Sequence, residues 1–394
     1  MYHFLMLNIF FLGLISFFTD LSTEMVYPLI PLYLVGTFGA THVLVGIIEG
    51  IAESLASLLK VYSGYLTDRL KKKKLLAFFG YAAGLVYKAG LLFASSWLGI
   101  LGARVIDRFG KGIRTAPRDV LVSESADSQN MGKAFGLHKA LDMAGAACGI
   151  LIIYFLMKSS SGDYDYKRLF ALSMIPAILG LFMFVFVKEK KHDLDTVAQI
   201  TKQREPFWKN IKKIDNQLKL YLAVVFIFTL GNSSKAFMIL KASDAGFSEL
   251  NVILLFLLYH AVAAILSMPL GKLSDKIGRK NLLVPGYIVF ALCFLGFAFV
   301  SSASGFIAVF ILYGVYTAMI AGVERAFVAE IAPGELKGTM LGLHSTVAGI
   351  ALLPASIIAG VLWTNFGSSF PFLFGAFLSL LAAIILIIFF RSKA

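Results

Sequence analysis

Four apolar runs in the first half of this chain carry charges at helical spacing. Asp20 and Glu24 lie four residues apart, as do Glu49 and Glu53, with Lys60 further along the second stripe. Asp107, Arg108 and Lys111 lie 3, 4 and 7 positions after Arg104, and His138, Lys139 and Asp142 form a fourth set. Residues at that spacing share one helix face. An ionisable side chain inside an apolar span is costly unless paired or solvated, so each stripe must face protein or water. Two chemistries fit. One is a network of ion pairs that locks helices together. The other is reversible protonation, because burial favours a neutral carboxyl while a neighbouring cation favours its ionised form. Asp20, Glu53 and Asp142 fall nearest mid-depth and are the favoured proton carriers. Glu24 and Glu49 lie closer to one end of their runs, and Asp107 belongs to the basic stripe. Arg104, Arg108 and Lys139 lean toward binding an anionic or zwitterionic solute. The second half is nearly bare. It offers Asn232 and Lys235 beside Gly231, and His260, which reads as a core residue. Lys235 has no obvious partner nearby in sequence, so it either snorkels to a surface or meets an anionic group across a cleft.

The elements that position these residues follow from composition. Of 394 residues, 58% are hydrophobic and only 15% are charged. A soluble core cannot hide that much apolar surface, so lipid must cover it. Apolar runs fall at about 7–36, 41–66, 75–94, 97–113, 131–157, 169–187, 218–240, 249–270, 281–300, 304–323, 338–363 and 369–390. Backbone groups in lipid must bond internally, so these runs predict twelve transmembrane helices and an all-α integral membrane protein. Tyr27, Pro28 and Pro31 predict a bend in the first of them. The N-terminal stretch reads as a retained span rather than a signal peptide. The net charge of +13 does not point to nucleic acid, because Lys and Arg cluster in short loops. Those loops are 69–74, 272–280 and the segment 188–217. The loops near 37–42, 95–97, 300–305 and 364–368 carry no Lys or Arg. This asymmetry predicts a plasma (inner) membrane protein with both termini and segment 188–217 cytoplasmic. Cys148 and Cys293 sit in apolar runs and read as packed thiols. There is no P-loop, no zinc-ligand pattern and no nucleophile elbow, so no enzyme, ATPase, cofactor or metal is expected.

The chain also repeats itself. Gly64-Tyr65-Leu66-Thr67-Asp68-Arg69-Leu70-Lys71-Lys72-Lys73 matches Gly271-Lys272-Leu273-Ser274-Asp275-Lys276-Ile277-Gly278-Arg279-Lys280, and Gly64 and Gly271 are 207 positions apart. The segment Gly132–His138 reappears as Gly338–His344, and Arg118 and Glu124 have counterparts in Arg325 and Glu330. Two similar bundles follow, 1–187 and 218–394, joined by the linker 188–217. Within the decapeptide, Gly64 and Gly271 would let a helix end approach a neighbour closely. Asp68 and Asp275 are short anions suited to a helix N-terminus. The bases hold the loop in the cytoplasm.

On these residues the chain resembles the major facilitator superfamily over essentially its full length. The copy at Gly271–Lys280 matches that family's pattern fully, and the first copy has Lys71 where the family usually has Gly. The resemblance implies two six-helix bundles rocking about a central site near the membrane midplane. It implies a gate latched by Gly64, Asp68, Arg69, Arg118, Gly271, Asp275, Lys276, Gly278, Arg279 and Arg325. Arg108 and Gly112 loosely match a family motif linked to proton transfer. Helix 5 offers Gly145-Ala146-Ala147-Cys148-Gly149 without the proline typical of family exporters. The leading expectation is a monomeric transporter that moves a small organic anion or zwitterion together with protons. The alternatives are a multidrug/proton antiporter, a lipid flippase on the same fold, and a non-transporting sensor.

Overall fold

Long apolar runs have one way to satisfy their amides in hydrocarbon, and the chain takes it. The computed structural model describes residues 2–70, 72–125, 131–160, 164–189, 216–320, 322–331 and 337–389, and these are helical with no strand. Segment 190–215, which holds most of the expected linker, lies outside the described residues. The helices are α1 (Tyr2–Glu24), α2 (Leu29–Phe38), α3 (His42–Leu70), α4 (Lys73–Phe93), α5 (Trp97–Glu124), α6 (Met131–Lys158) and α7 (Tyr166–Met183). Then come α8 (Asn216–Gly231), α9 (Ala236–Asp244), α10 (Glu249–Ile277), α11 (Arg279–Phe299), α12 (Ala303–Ile320), α13 (Val323–Ile331), α14 (Lys337–Phe366) and α15 (Phe370–Phe389).

Among the described residues, 11 helical stretches are long and apolar enough to cross a membrane, with α1–α2, α8–α9 and α12–α13 each counted within one stretch. The twelfth expected span is α5. It is 28 residues long, but Arg104, Asp107, Arg108, Lys111 and Arg114 make its sequence too polar to register as a span. Those charges are turned into protein instead: Arg104, Asp107, Arg108 and Arg114 are all buried.

Two breaks in the helices answer to each other. The first run is interrupted at Met25–Pro28, where Pro28 and Pro31 remove amide donors. The seventh run is interrupted at Asn232–Lys235, after Gly231 and among residues that compete with the backbone for hydrogen bonds. Met25 to Asn232 and Pro28 to Lys235 are both steps of 207, the interval of the decapeptide repeat. The proline bend is therefore present as expected, and its counterpart in the second half arises without a proline.

By packing, the chain divides into two compact units. One comprises Met1–Val26, Leu55–Gly149 and Lys167–Ile214. The other comprises Tyr27–Ser54, Ile150–Tyr166 and Asp215–Ala394. The boundary cuts across the first, second and fifth spans rather than falling between spans.

In the first unit, small residues let helices touch backbone to backbone. A Cβ on Gly145 or Gly149 of α6 would run into the backbone of Phe17 or Leu21 of α1. Gly80 and Gly110 bring α4 and α5 together in the same way. The small-residue packing expected of helix 5 is thus present. We expect Gly145→Leu to destabilise the fold by about 1–3 kcal/mol or more, since neither backbone can move without breaking its helix. Unfolding in mixed detergent would show it, and a variant as stable as the parent would refute the contact.

In the second unit the glycines of α3 and α14 do the same work. Gly46 meets Ser356, Gly50 meets Leu353, and Gly360 meets His42 and Val43. Segments from the first half of the sequence are therefore packed on the second half here. Tyr27 stacks on Phe256, with ring centroids 6.0 Å apart, and Tyr166 donates to Glu249 Oε1 at 2.6 Å.

Candidate functional site

In the first unit the close packing of α1 on α6 decides which charges meet. With Gly145 and Gly149 seated on α1, the residues one turn away, Asp20 and Asp142, come into hydrogen-bond contact through their carboxyl groups. Lys139 Nζ bonds Asp142 Oδ2 at 2.5 Å. Lys139 is 66% exposed and Asp142 15%, so this pair lies open while Asp20 lies deeper. Lys111 and Arg114 of α5 act on Asp20 from the other side. Beside the pair, His138 Nε2 and Ser16 Oγ are 2.9 Å apart, and Ser16 Oγ and the Tyr81 hydroxyl 3.2 Å. The Arg114 guanidinium lies 4.4 Å from the Tyr81 ring centroid.

Asp107 stands in different company. It is buried, with Arg108 Nε 3.5 Å from its Oδ2, and Lys88, Arg104 and Arg114 also act on it. Lys88 of α4 is 1% exposed and donates to the Gly84 carbonyl at 3.2 Å. Sequence reasoning missed Lys88. Its signal was a lone lysine in the middle of the run 75–94.

In the second unit the break between α8 and α9 gathers the polar groups. Glu49, 1% exposed, accepts from Ser234 Oγ at 3.2 Å, and Ser234 N donates to Ser356 Oγ at 3.3 Å. Lys235 Nζ donates to the Tyr259 hydroxyl at 2.7 Å. Tyr259, 24 positions away in sequence, is a partner that sequence spacing did not reveal. Asn232 Nδ2 donates to the Tyr316 hydroxyl at 3.1 Å. His260 packs on Phe256 and Tyr259 with ring centroids 4.9 and 4.1 Å away, as a core histidine does. Glu24 and Glu53 are half-buried on α1 and α3.

The gate residues divide. Gly64, Asp68 and Arg69 lie within α3, but their side chains are outside the described residues, as is Lys71. Arg118 forks onto Asp119 Oδ1 at 2.9 and 2.7 Å, and Lys73 pairs with Glu124. In the second copy Arg279 bonds Glu330 Oε2 at 2.8 Å and lies 3.6 Å from Asp275. Lys73 to Arg279 and Glu124 to Glu330 are both steps of 206, so each half carries the same ion pair. Gly278 holds φ +90 between α10 and α11, a conformation that favours glycine. Gly271 contradicts the expectation of close approach: a Cβ there would meet nothing within 4 Å. The conformational demand in this decapeptide falls on Gly278 instead. Asp275, Lys276 and Arg325 are exposed.

The second half is less bare than its sequence suggested. The Tyr287 hydroxyl donates to Glu324 Oε1 at 3.0 Å, and His344 Nε2 lies 3.9 Å from Glu324 Oε2.

Comparison with known proteins agrees with this architecture. The family model of the Major Facilitator Superfamily matches residues 12–248 and 220–394. An uncharacterized MFS-type transporter of Methanocaldococcus jannaschii, MJ1317, is 36% identical over 96% of this chain and 94% of its own length. The multidrug resistance protein MdtH of Shigella boydii is 22% identical over 84% of this chain and 80% of its own. The crystal structure of a D-xylose–proton symporter superposes with a TM-score of 0.74 at 19% identity, covering 98% of this chain and 97% of that one. The chain belongs to the major facilitator superfamily. It is a multi-pass membrane transporter and not an enzyme.

Proposed function

We propose that this transporter couples the movement of a small organic anion or zwitterion to protons, by alternating access between two bundles, 1–187 and 218–394. One observation carries the reading: Asp20 and Asp142 touch through their carboxyl groups, among Lys111, Arg114 and Lys139. Two carboxyls in contact hold a proton between them readily, and nearby cations make that proton exchangeable. An anionic solute that drew Lys139 or Arg114 away would change the proton's hold, which is the linkage coupling requires. Asp107, ringed by four cations, reads as their counter-charge rather than as a carrier.

The paired breaks at Met25–Pro28 and Asn232–Lys235 support a solute site. Interrupted helices at corresponding positions of two repeats free backbone groups to meet a ligand. Asn232, Lys235 and Glu49 gather at one of them. The charge asymmetry of the loops supports a plasma-membrane protein with both termini and the linker 188–217 in the cytoplasm. The protein acts as a monomer with solute, protons and lipid as its partners.

The test is purified protein in vesicles loaded with a pH-sensitive dye. Small carboxylates and amino acids are added outside, with tetraphenylphosphonium as a hydrophobic cation. The reading expects at least one carboxylate or amino acid to change internal pH. A response to tetraphenylphosphonium alone would replace it with multidrug/proton antiport, the reading that the likeness to MdtH favours. A lipid flippase would answer to neither probe.

A further inference from the structure

A tyrosine and a histidine of the second half flank one carboxylate, and the repeat supplies both of them. His138 and His344 are 206 positions apart, and so are Tyr81 and Tyr287. In the first unit Ser16 joins its histidine to its tyrosine, at 2.9 and 3.2 Å. In the second unit the joining group is Glu324, 3.0 Å from the Tyr287 hydroxyl and 3.9 Å from His344 Nε2. The joining group is a neutral hydroxyl from α1 in the first half and an ionisable carboxyl from α13 in the second. We propose that Glu324, bonded by Tyr287 and facing His344, is a second proton-binding site of the transporter, separate from Asp20 and Asp142. The inference rests on the proton-coupled reading and extends it to the second half.

The surroundings suit that role. The Glu324 side chain is 18% exposed and that of His344 9%, so water reaches the carboxyl sparingly. Among the described residues, the titratable groups beside Glu324 are phenols, an imidazole and one arginine. These are Tyr221 on α8, Tyr287 on α11, Tyr316 on α12, Arg325 beside it on α13, and His344 on α14. Tyr221 stacks over His344, with rings 6.3 Å apart and 11° from parallel. Among the described residues, no second carboxylate is in this group.

The step is simple to balance. A proton from water forms an O–H bond on the Glu324 carboxylate, and the reverse step returns it to water. At 3.9 Å the His344 ring is too far for a direct hydrogen bond, so it acts on the charge of the carboxylate, or through one water.

The site also has a route to the cargo side. Tyr316, which acts on Glu324, takes a hydrogen bond from Asn232 at 3.1 Å, and Asn232 opens the break between α8 and α9. A solute that captured the Asn232 amide would release the Tyr316 hydroxyl and alter the field at Glu324.

Infrared difference spectroscopy of the purified full chain, taken across a pH titration, reads this directly. Wild type should show a protonated-carboxyl stretch that Glu324→Gln abolishes and Asp142→Asn leaves in place. Glu324→Asp should restore a carboxyl band at a different frequency. Tyr287→Phe keeps the carboxyl but removes its donor, so it should shift the frequency and not the amplitude. That variant also serves if Glu324→Gln fails to fold. A band unchanged in both Glu324→Gln and Tyr287→Phe would overturn the assignment, whatever Asp142→Asn does. If every titrating band were lost in Asp142→Asn and kept in Glu324→Gln, proton binding would be confined to the first half and the assignment overturned equally. Failure of the coupled reading would look different: the bands would titrate, yet no solute would move protons in vesicles.

Discussion

Asp142→Asn should stop pH-gradient-driven uptake in reconstituted vesicles while solute-for-solute exchange continues. The expected loss is about a hundredfold or more, the scale on which a positioned proton-transfer group acts. The reason is geometric. Asp142 touches Asp20 and is tied to Lys139 at 2.5 Å. An amide in its place still fills the space and still accepts from Lys139, but it cannot take a proton. Exchange needs the bundles to move and the solute to bind, and neither step consumes a proton. Equal pH-driven uptake in the variant and the parent would remove Asp142 from the mechanism. Loss of exchange together with net uptake would make it a structural residue.

Asp107→Asn should act on the fold first. Asp107 and Arg108 are each 3% exposed at the side chain, and Lys88 and Arg104, acting on the same carboxylate, are 1% exposed. Removing the anion leaves buried cations facing one another. Breaking a buried pair from one side costs about 3–5 kcal/mol. Denaturation in mixed detergent should report a loss of that order, larger than that for Asp142→Asn at its more open position. Uptake per folded molecule should keep its pH dependence. If stability held and pH dependence vanished, Asp107 would be a proton carrier after all.

The sequence announced the fold more fully than the site. Twelve apolar runs, two decapeptides and charge-free opposite loops were enough for the class, because lipid leaves helices as the only long-run solution. The stripes on α1, α5 and α6 were legible for the same reason, since a charge in an apolar run is conspicuous. The proline bend could be read at Pro28 and Pro31. Its partner at Asn232–Lys235 could not, because its polar residues looked like contact groups rather than a helix end. Distances across the fold were invisible. Lys235 looked solitary while Tyr259 waited one helix away. Lys88 looked like part of a span until α5 placed Asp107 beside it. Glu324 stands beside the gate residue Arg325 in sequence, and only tertiary packing brings Tyr287 and His344 to it. The repeat interval would have flagged both of those residues, since it pairs them with Tyr81 and His138. Gly271 shows the opposite failure, a motif residue whose reputed packing role has no neighbour to act on.

Access from two sides is the heart of this account, and thiol labelling tests it most directly. In a chain with Cys148 and Cys293 replaced by Ala, Lys139→Cys sets a thiol beside Asp142. Membrane-impermeant maleimide is then applied to one face at a time in vesicles of known orientation. The account predicts labelling from both faces, with pH shifting the two rates in opposite directions. Labelling from a single face at every pH would contradict it.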